Sequence, residues 1–118
     1  MAEKLAELIK NNGTRKPIIS GSIPAGSALG SGWTNFKTVN LNANKRYLVI
    51  WQVLFASTGA GYKGVSFNNG EYTGQVGIEA GGTNLITTWI FEGRNSIDLL
   101  AYSQVGGTIA GNYNIVEI

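Results

Sequence analysis

The sequence predicts a single all-β domain in which short antiparallel strands form two packed sheets. Three observations predict this class: apolar runs recur about every ten residues, Gly- and Asn-rich turns separate them, and no helical pattern intervenes. The chain has 118 residues with 17 Gly, and charged residues make up 14%, against about 25% in an ordinary globular protein. An interface removes surface that would otherwise carry charged residues. The low charge is therefore a first indication that copies of the chain associate.

Apolar runs from residue 33 to residue 118 are predicted as strands. Asn69-Gly70, between two of these runs, is a strong tight-turn signal. Residues 17–32 are small and uncharged, so we expect Ile18 and Ile19 to enter the domain ahead of an extended, strand-poor loop. The predicted strands are Trp33–Leu41, Arg46–Ala56, Tyr62–Phe67, Tyr72–Glu79, Leu85–Phe91, Ser96–Gln104 and Asn112–Ile118.

Residues 1–16 are predicted to form a short helical arm, followed by the β domain at residues 17–118. Leu5, Leu8 and Ile9 share one helical face, and Gly13 is placed to end the helix. A helix of this length is not stable alone in water. The arm is therefore either frayed or the end of a coiled-coil stalk that joins neighbouring chains.

The run at residues 47–56 is apolar on both faces of a strand, with Gln52 as its polar exception. Two later runs, at 85–91 and 113–118, repeat this pattern, so one sheet needs cover on both sides. The opposite sheet covers one side, and a chain of this length has no further protein for the other. Alternation along the strand gives one face with Tyr47, Val49, Trp51, Val53 and Phe55 and another with Leu48, Ile50, Gln52 and Leu54.

Three stretches resemble the jelly rolls of the tumour-necrosis-factor and complement-globular-head families. YL at 47–48 and QVLF at 52–55 resemble the central inner-sheet strand. FEGRNSIDL at 91–99 resembles the hairpin between the sixth and seventh strands, and YNIVEI at 113–118 resembles the final inner strand. This resemblance covers about residues 33–118 and implies a two-sheet antiparallel jelly-roll sandwich whose inner sheet packs around a three-fold axis. It would place Leu48, Ile50, Gln52 and Leu54 in a homotrimer interface and Tyr47, Val49, Trp51 and Val53 in the core.

The sequence departs from the animal members of those families because it shows no collagen-like stalk, membrane anchor or disulfide. A small Gly- and Asn-rich jelly roll behind a short helical arm is more similar to the heads of bacteriophage or prophage tail-fibre and baseplate receptor-binding proteins. That resemblance implies a virion protein at the tail tip or particle surface, assembled in the host cytoplasm, that binds a host-surface saccharide. A purely structural trimer, such as a capsid or spore-surface decoration protein, is the alternative.

The composition argues against catalysis, metal binding and nucleic-acid binding. The chain has no His and no Cys, which removes the commonest general bases, nucleophiles and metal ligands. Residues 1–16 carry the whole net charge of +2, so the β domain lacks the basic face of a nucleic-acid binder. No segment is apolar for long enough to span a membrane. We therefore expect no enzyme activity, cofactor, metal, nucleic-acid partner or membrane insertion.

Saccharide binding is the chemistry that the sequence supports best. It needs aromatic ring faces together with planar amide, carboxylate or guanidinium groups. Each candidate also has a structural interpretation, because most aromatic residues lie in the core and most Asn residues near Gly form turns. Tyr102 is a further aromatic residue near a strand end. The chosen candidates, expected on loops at one end of the trimer or in grooves between subunits, are Trp33, Tyr62, Asn68, Asn69, Glu71, Tyr72 and Arg94.

Overall fold

Antiparallel strands make up most of the chain that the structure describes. The structure is a computed structural model that describes residues 19–57, 61–68, 72–76 and 83–118, with the backbone alone at residues 56, 57 and 72–76. The helical arm predicted at residues 1–16 lies outside these ranges. The strands are β1 Ile19–Leu29, β2 Gly32–Asn40, β3 Arg46–Ser57, β4 Lys63–Phe67, β5 Tyr72–Val76, β6 Thr83–Glu92, β7 Ser96–Ser103 and β8 Gly107–Glu117.

The strands form two four-stranded sheets. Sheet A has the order β1-β8-β3-β6, and sheet B has the order β2-β7-β4-β5. Every connection except the one from β4 to β5 therefore crosses from one sheet to the other, which is the topology of the eight-stranded jelly roll. The prediction of an all-β, two-sheet antiparallel jelly-roll sandwich is confirmed.

The prediction of a strand-poor loop at residues 17–32 is wrong, because residues 19–29 form β1 and pair with β8. Small residues are required there for packing: a side chain at Gly21 would meet the Tyr113 hydroxyl. A bulge between Ile23 and Ser27 accommodates residues 24–26 without ending the strand. Within it, Ser27 Oγ donates a hydrogen bond of 2.6 Å to Pro24 O. The start of β8 also consists mostly of small residues, which give no strand pattern in the sequence. This strand therefore begins five residues before the predicted start at Asn112.

The core lies between the two sheets, and β3 supplies its centre. Trp51 is fully buried, and its Nε1 donates a hydrogen bond of 2.9 Å to Leu100 O on β7, which ties sheet A to sheet B. Gly111 lies against the Trp51 ring, where an added Cβ would be 2.8 Å from Cη2. The residues of β3 that the structure buries in the core are Tyr47, Val49, Trp51, Val53 and Phe55, as the alternation predicts.

Candidate functional site

The connections between strands gather at two opposite ends of the sandwich. The β1–β2 and β7–β8 connections and the start of β4 lie together, because Gly32 and Lys63 both pair with Ser103. This end is termed the Gln104 end, after a residue of the β7–β8 connection. Antiparallel pairing places the β2–β3 and β6–β7 connections and the end of β4 at the other end, termed the Arg94 end.

The candidate ligand-binding residues divide between these two ends. Trp33 and Tyr62 lie at the Gln104 end, whereas Asn68 and Arg94 lie at the Arg94 end. The six residue steps from Tyr62 to Asn68 follow β4 and span about 20 Å at the usual rise of a strand. The structure therefore does not bring these four residues together around one small ligand.

Three further candidates fall in parts of the chain with little or no description. Asn69 and Glu71 lie outside the described residues. Tyr72 begins β5 and pairs with Phe67 through the backbone, but its side chain is not described. These three residues remain sequence-based predictions.

The two candidates at the Arg94 end make contacts that stabilise turns. Asn68 has a positive φ of 51°, and its Oδ1 accepts a hydrogen bond of 2.9 Å from the backbone N–H of Asp98. The Arg94 guanidinium lies 5.8 Å from the centre of the Phe91 ring, within the range of a cation–π contact. Asn68 thus has a structural role where the chain leaves β4, and Arg94 has one in the connection between β6 and β7.

Aromatic side chains gather on the outward face of sheet B at the Gln104 end. Trp33 lies directly opposite Tyr102 in the β2–β7 register, and their ring centres are 5.2 Å apart with the planes tilted by 49°. Both point away from the core, because Ala101 and Ser103 on either side of Tyr102 are fully buried.

Tyr62 adds a third ring next to this pair. The backbone N–H of Gln104 donates to Tyr62 O at 2.9 Å, and Tyr62 N–H donates to Gln104 Oε1 at 3.2 Å, so Tyr62 extends the ladder by one residue. Tyr62 and Tyr102 are then diagonal neighbours, which lie about 7–8 Å apart on a sheet. The three residues Trp33, Tyr62 and Tyr102 are termed the aromatic patch.

The aromatic patch presents exposed ring surface beside planar and hydroxyl groups. Trp33 is 38% exposed and Tyr62 is 56% exposed. The Gln104 amide and the Ser31 hydroxyl, which donates to Gln104 O at 2.9 Å, lie at its border. Lys63 follows Tyr62 but is buried, so it adds no exposed charge. Such a surface can stack on the apolar side of a sugar ring while the amide binds its hydroxyl groups.

Sequence reasoning placed all three rings near strand ends but chose only Trp33 and Tyr62 as candidates, and it left out Gln104. Alternation along β7 carries the missing signal, because Tyr102 stands between Ala101 and Ser103, which are small residues suited to a core. The position of Gln104 depends on the pairing of β4 with β7, which are far apart in the chain. Its place in the patch follows only from the topology.

The outward face of sheet A carries the four residues predicted at the trimer interface. Leu48, Ile50 and Gln52 are half-buried, and Leu54 is 45% exposed. None of the outward residues in the central rows of the described face is charged. These residues are Ser20 and Ser22 on β1; Leu48, Ile50, Gln52 and Leu54 on β3; Asn84, Ile86, Thr88 and Ile90 on β6; and Ala110, Asn112, Asn114 and Val116 on β8.

A shallow cleft of about 240 Å³ opens on this outward face. Its polar lining consists of three amides on neighbouring strands, and Gln52 Nε2 donates a hydrogen bond of 3.2 Å to Asn84 Oδ1. Backbone and apolar groups complete the lining. The residues of this cleft, termed the amide cleft, are Gln52, Leu54, Asn84, Ala110, Gly111 and Asn112.

Charged residues border the outward face of sheet A at the Arg94 end. Lys45 Nζ lies 2.9 Å from Glu117 Oε1, and this hydrogen bond and charge attraction raise the pKa of Lys45 above its usual value. Arg46 Nε lies 3.7 Å from Glu92 Oε2 on the opposite strand. These charges are thus already matched within the chain.

The described ranges contain no group of three or more His, Cys, Asp or Glu side chains arranged to hold a metal ion. No helix in the same ranges is long and apolar enough to cross a membrane.

Comparison with known proteins finds likeness in solved structures alone. No protein-family model matches the chain, and no curated protein matches it. A carbohydrate-binding module of a Cellvibrio mixtus lichenase, solved with cellotriose, aligns over 86% of this chain and 98% of its own, with 16% identity and a TM-score of 0.42. Bacillus endospore appendage pili align over 88% and 91%, with 14% identity and a TM-score of 0.46.

A structure of infectious bursal disease virus, Gx strain, aligns over 82% of this chain but only 29% of its own, with 12% identity and a TM-score of 0.49. With TM-scores below 0.5, these likenesses carry no inference about function.

Proposed function

We propose that this domain is a non-catalytic saccharide-binding head that assembles as a homotrimer in a phage or prophage virion. The aromatic patch is the observation that carries the binding function. Trp33 and Tyr62 are exposed and Tyr102 is half-buried on the outward face of sheet B, where a core role does not explain them, and an amide and a hydroxyl lie beside these rings. The virion context rests on the resemblance of a small Gly- and Asn-rich jelly roll behind a short helical arm to phage receptor-binding heads.

The uncharged outward face of sheet A supports the homotrimer. A symmetric interface brings the same residues of each copy close to the axis, so a charge there would face its own copies. The face instead presents Leu48, Ile50 and Leu54, with Gln52 as an amide that copies can share. Three linked saccharide sites would then raise the avidity far above the affinity of one site.

Glycan-array and whole-cell binding by the purified protein test the proposal. Tyr62→Ala and Trp33→Ala each remove a stacking surface, and we expect roughly tenfold weaker binding or more, with the molar mass unchanged. Arg94→Ala is the matched control, because Arg94 was a candidate of the same set but lies at the opposite end. Equal binding by all three variants and the parent would contradict the aromatic patch as the site.

A purely structural trimer is the second candidate, as in a capsid or spore-surface decoration protein. The outward face of sheet A favours it independently, because that face suits assembly without any ligand. A stable trimer that binds neither glycans nor cells would select this function.

A further inference from the structure

Sheet A carries a protruding apolar side chain next to an open cleft. Ile86 on β6 is 57% exposed and lies directly opposite Gln52, which lines the amide cleft. The cleft has a mixed character, since Leu54, Ala110 and the Gly111 backbone provide apolar surface between the amides. An exposed apolar side chain and an open cleft therefore occur on one face of the same chain.

The chemistry of the cleft fits a copy of this chain better than a charged partner. The outward residues around the cleft carry no charge, and the nearest described charges form the Lys45–Glu117 and Arg46–Glu92 pairs at the border of the face. The Gln52–Asn84 hydrogen bond already joins two of the three amides. An apolar side chain that packs on Leu54 and Ala110, beside these amides, gains contacts with the apolar part of the lining.

We propose that Ile86 of one copy enters the amide cleft of the next copy around the symmetry axis. This inference rests on the proposed homotrimer and adds the contact that sets its register. The protrusion and the cleft occupy different positions, so the contact is of the head-to-tail kind that closes into a ring. The axis then passes close to Gln52, on the side of β6.

Disulfide trapping tests this contact, and the chain has no Cys to interfere. The double variant carries Ile86→Cys and Ala110→Cys. Within one chain these positions are separated by β3, at least two strand spacings or about 10 Å apart. That distance exceeds the limit of about 7 Å between the Cα atoms of a disulfide. Any disulfide must therefore join two copies.

We expect mild oxidation to convert most of the double variant into a covalent trimer on a non-reducing gel. The control pairs Ile86→Cys with Asn40→Cys, which lies on β2 in sheet B, and it should give no covalent trimer. Ile86→Ala changes an exposed position, so the chain should stay folded. We expect this variant to raise the concentration at which the trimer dissociates by about tenfold.

The outcomes separate this inference from the proposed function. A trimer by light scattering that gives no specific cross-link, and that Ile86→Ala does not weaken, overturns the Ile86 contact but leaves the homotrimer standing. A monomeric parent protein overturns both.

Discussion

Gln52 is the one polar residue in the outward-facing row of β3 formed by Leu48, Ile50, Gln52 and Leu54. It lies midway along the outward face of β3, half-buried between Ile50 and Leu54, and its amide donates to Asn84 Oδ1. An amide in such a row costs about 1–3 kcal/mol if burial leaves it unpaired. Its position therefore suits an interface in which amides pair with one another or share water.

We predict that Gln52→Leu keeps the trimer intact and that Gln52→Glu weakens it. The substitution by Glu places three like charges near the axis, and we expect dissociation at a concentration roughly tenfold higher or more. Thermal unfolding and light scattering over a concentration series measure both effects. If both variants keep the parent melting temperature and mass, Gln52 is not in an interface.

Single residues also mark the limit of sequence reasoning about the site. Trp33 and Tyr62 could be chosen because an aromatic residue near a turn is suited to an exposed position. Asn68 has the same sequence signal as a ligand-binding amide, yet its Oδ1 accepts the backbone N–H of Asp98 on the neighbouring strand β7. The difference lies in a contact between residues 30 positions apart, which no local pattern contains.

At the scale of strands, alternation predicted β3 well and failed for β1. Five large residues point inward from β3, so its period of two is visible in the sequence. In β1, a bulge breaks the period, and Gly21 is needed because Tyr113 occupies the space above it. A strand whose small residues make room for the side chains of a neighbouring strand has the sequence of a loop.

Gly111 offers a test of this close packing between β8 and β3. Gly111→Ala places a Cβ 2.8 Å from Cη2 of the buried Trp51 ring, and we expect a loss of about 1–3 kcal/mol in the free energy of unfolding. Gly30→Ala is the control, because the nearest atom to its added Cβ, Thr34 Oγ1, is 3.8 Å away. Urea unfolding at one protein concentration compares the two variants. Equal midpoints would show that the core at Trp51 has room to adjust.

At the scale of the molecule, the two sheets present outward surfaces of different chemistry. Sheet A presents an uncharged face with the amide cleft, and sheet B presents the aromatic patch at the Gln104 end. The sequence indicated the first surface, because β3 is apolar on both faces and sheet B covers only one of them. It could not locate the second, because β2, β4 and β7 meet only through the jelly-roll topology.

The molar mass in solution tests most directly whether the outward face of sheet A joins three copies of the chain. Full burial of an apolar side chain gains about 1.5–3 kcal/mol, and Leu48, Ile50 and Leu54 would forgo the part of this that their remaining exposed surface represents if no interface covered them. Light scattering at micromolar concentration should therefore give three times the 12.5 kDa of one chain. A stable species of 12.5 kDa under the same conditions would contradict the homotrimer.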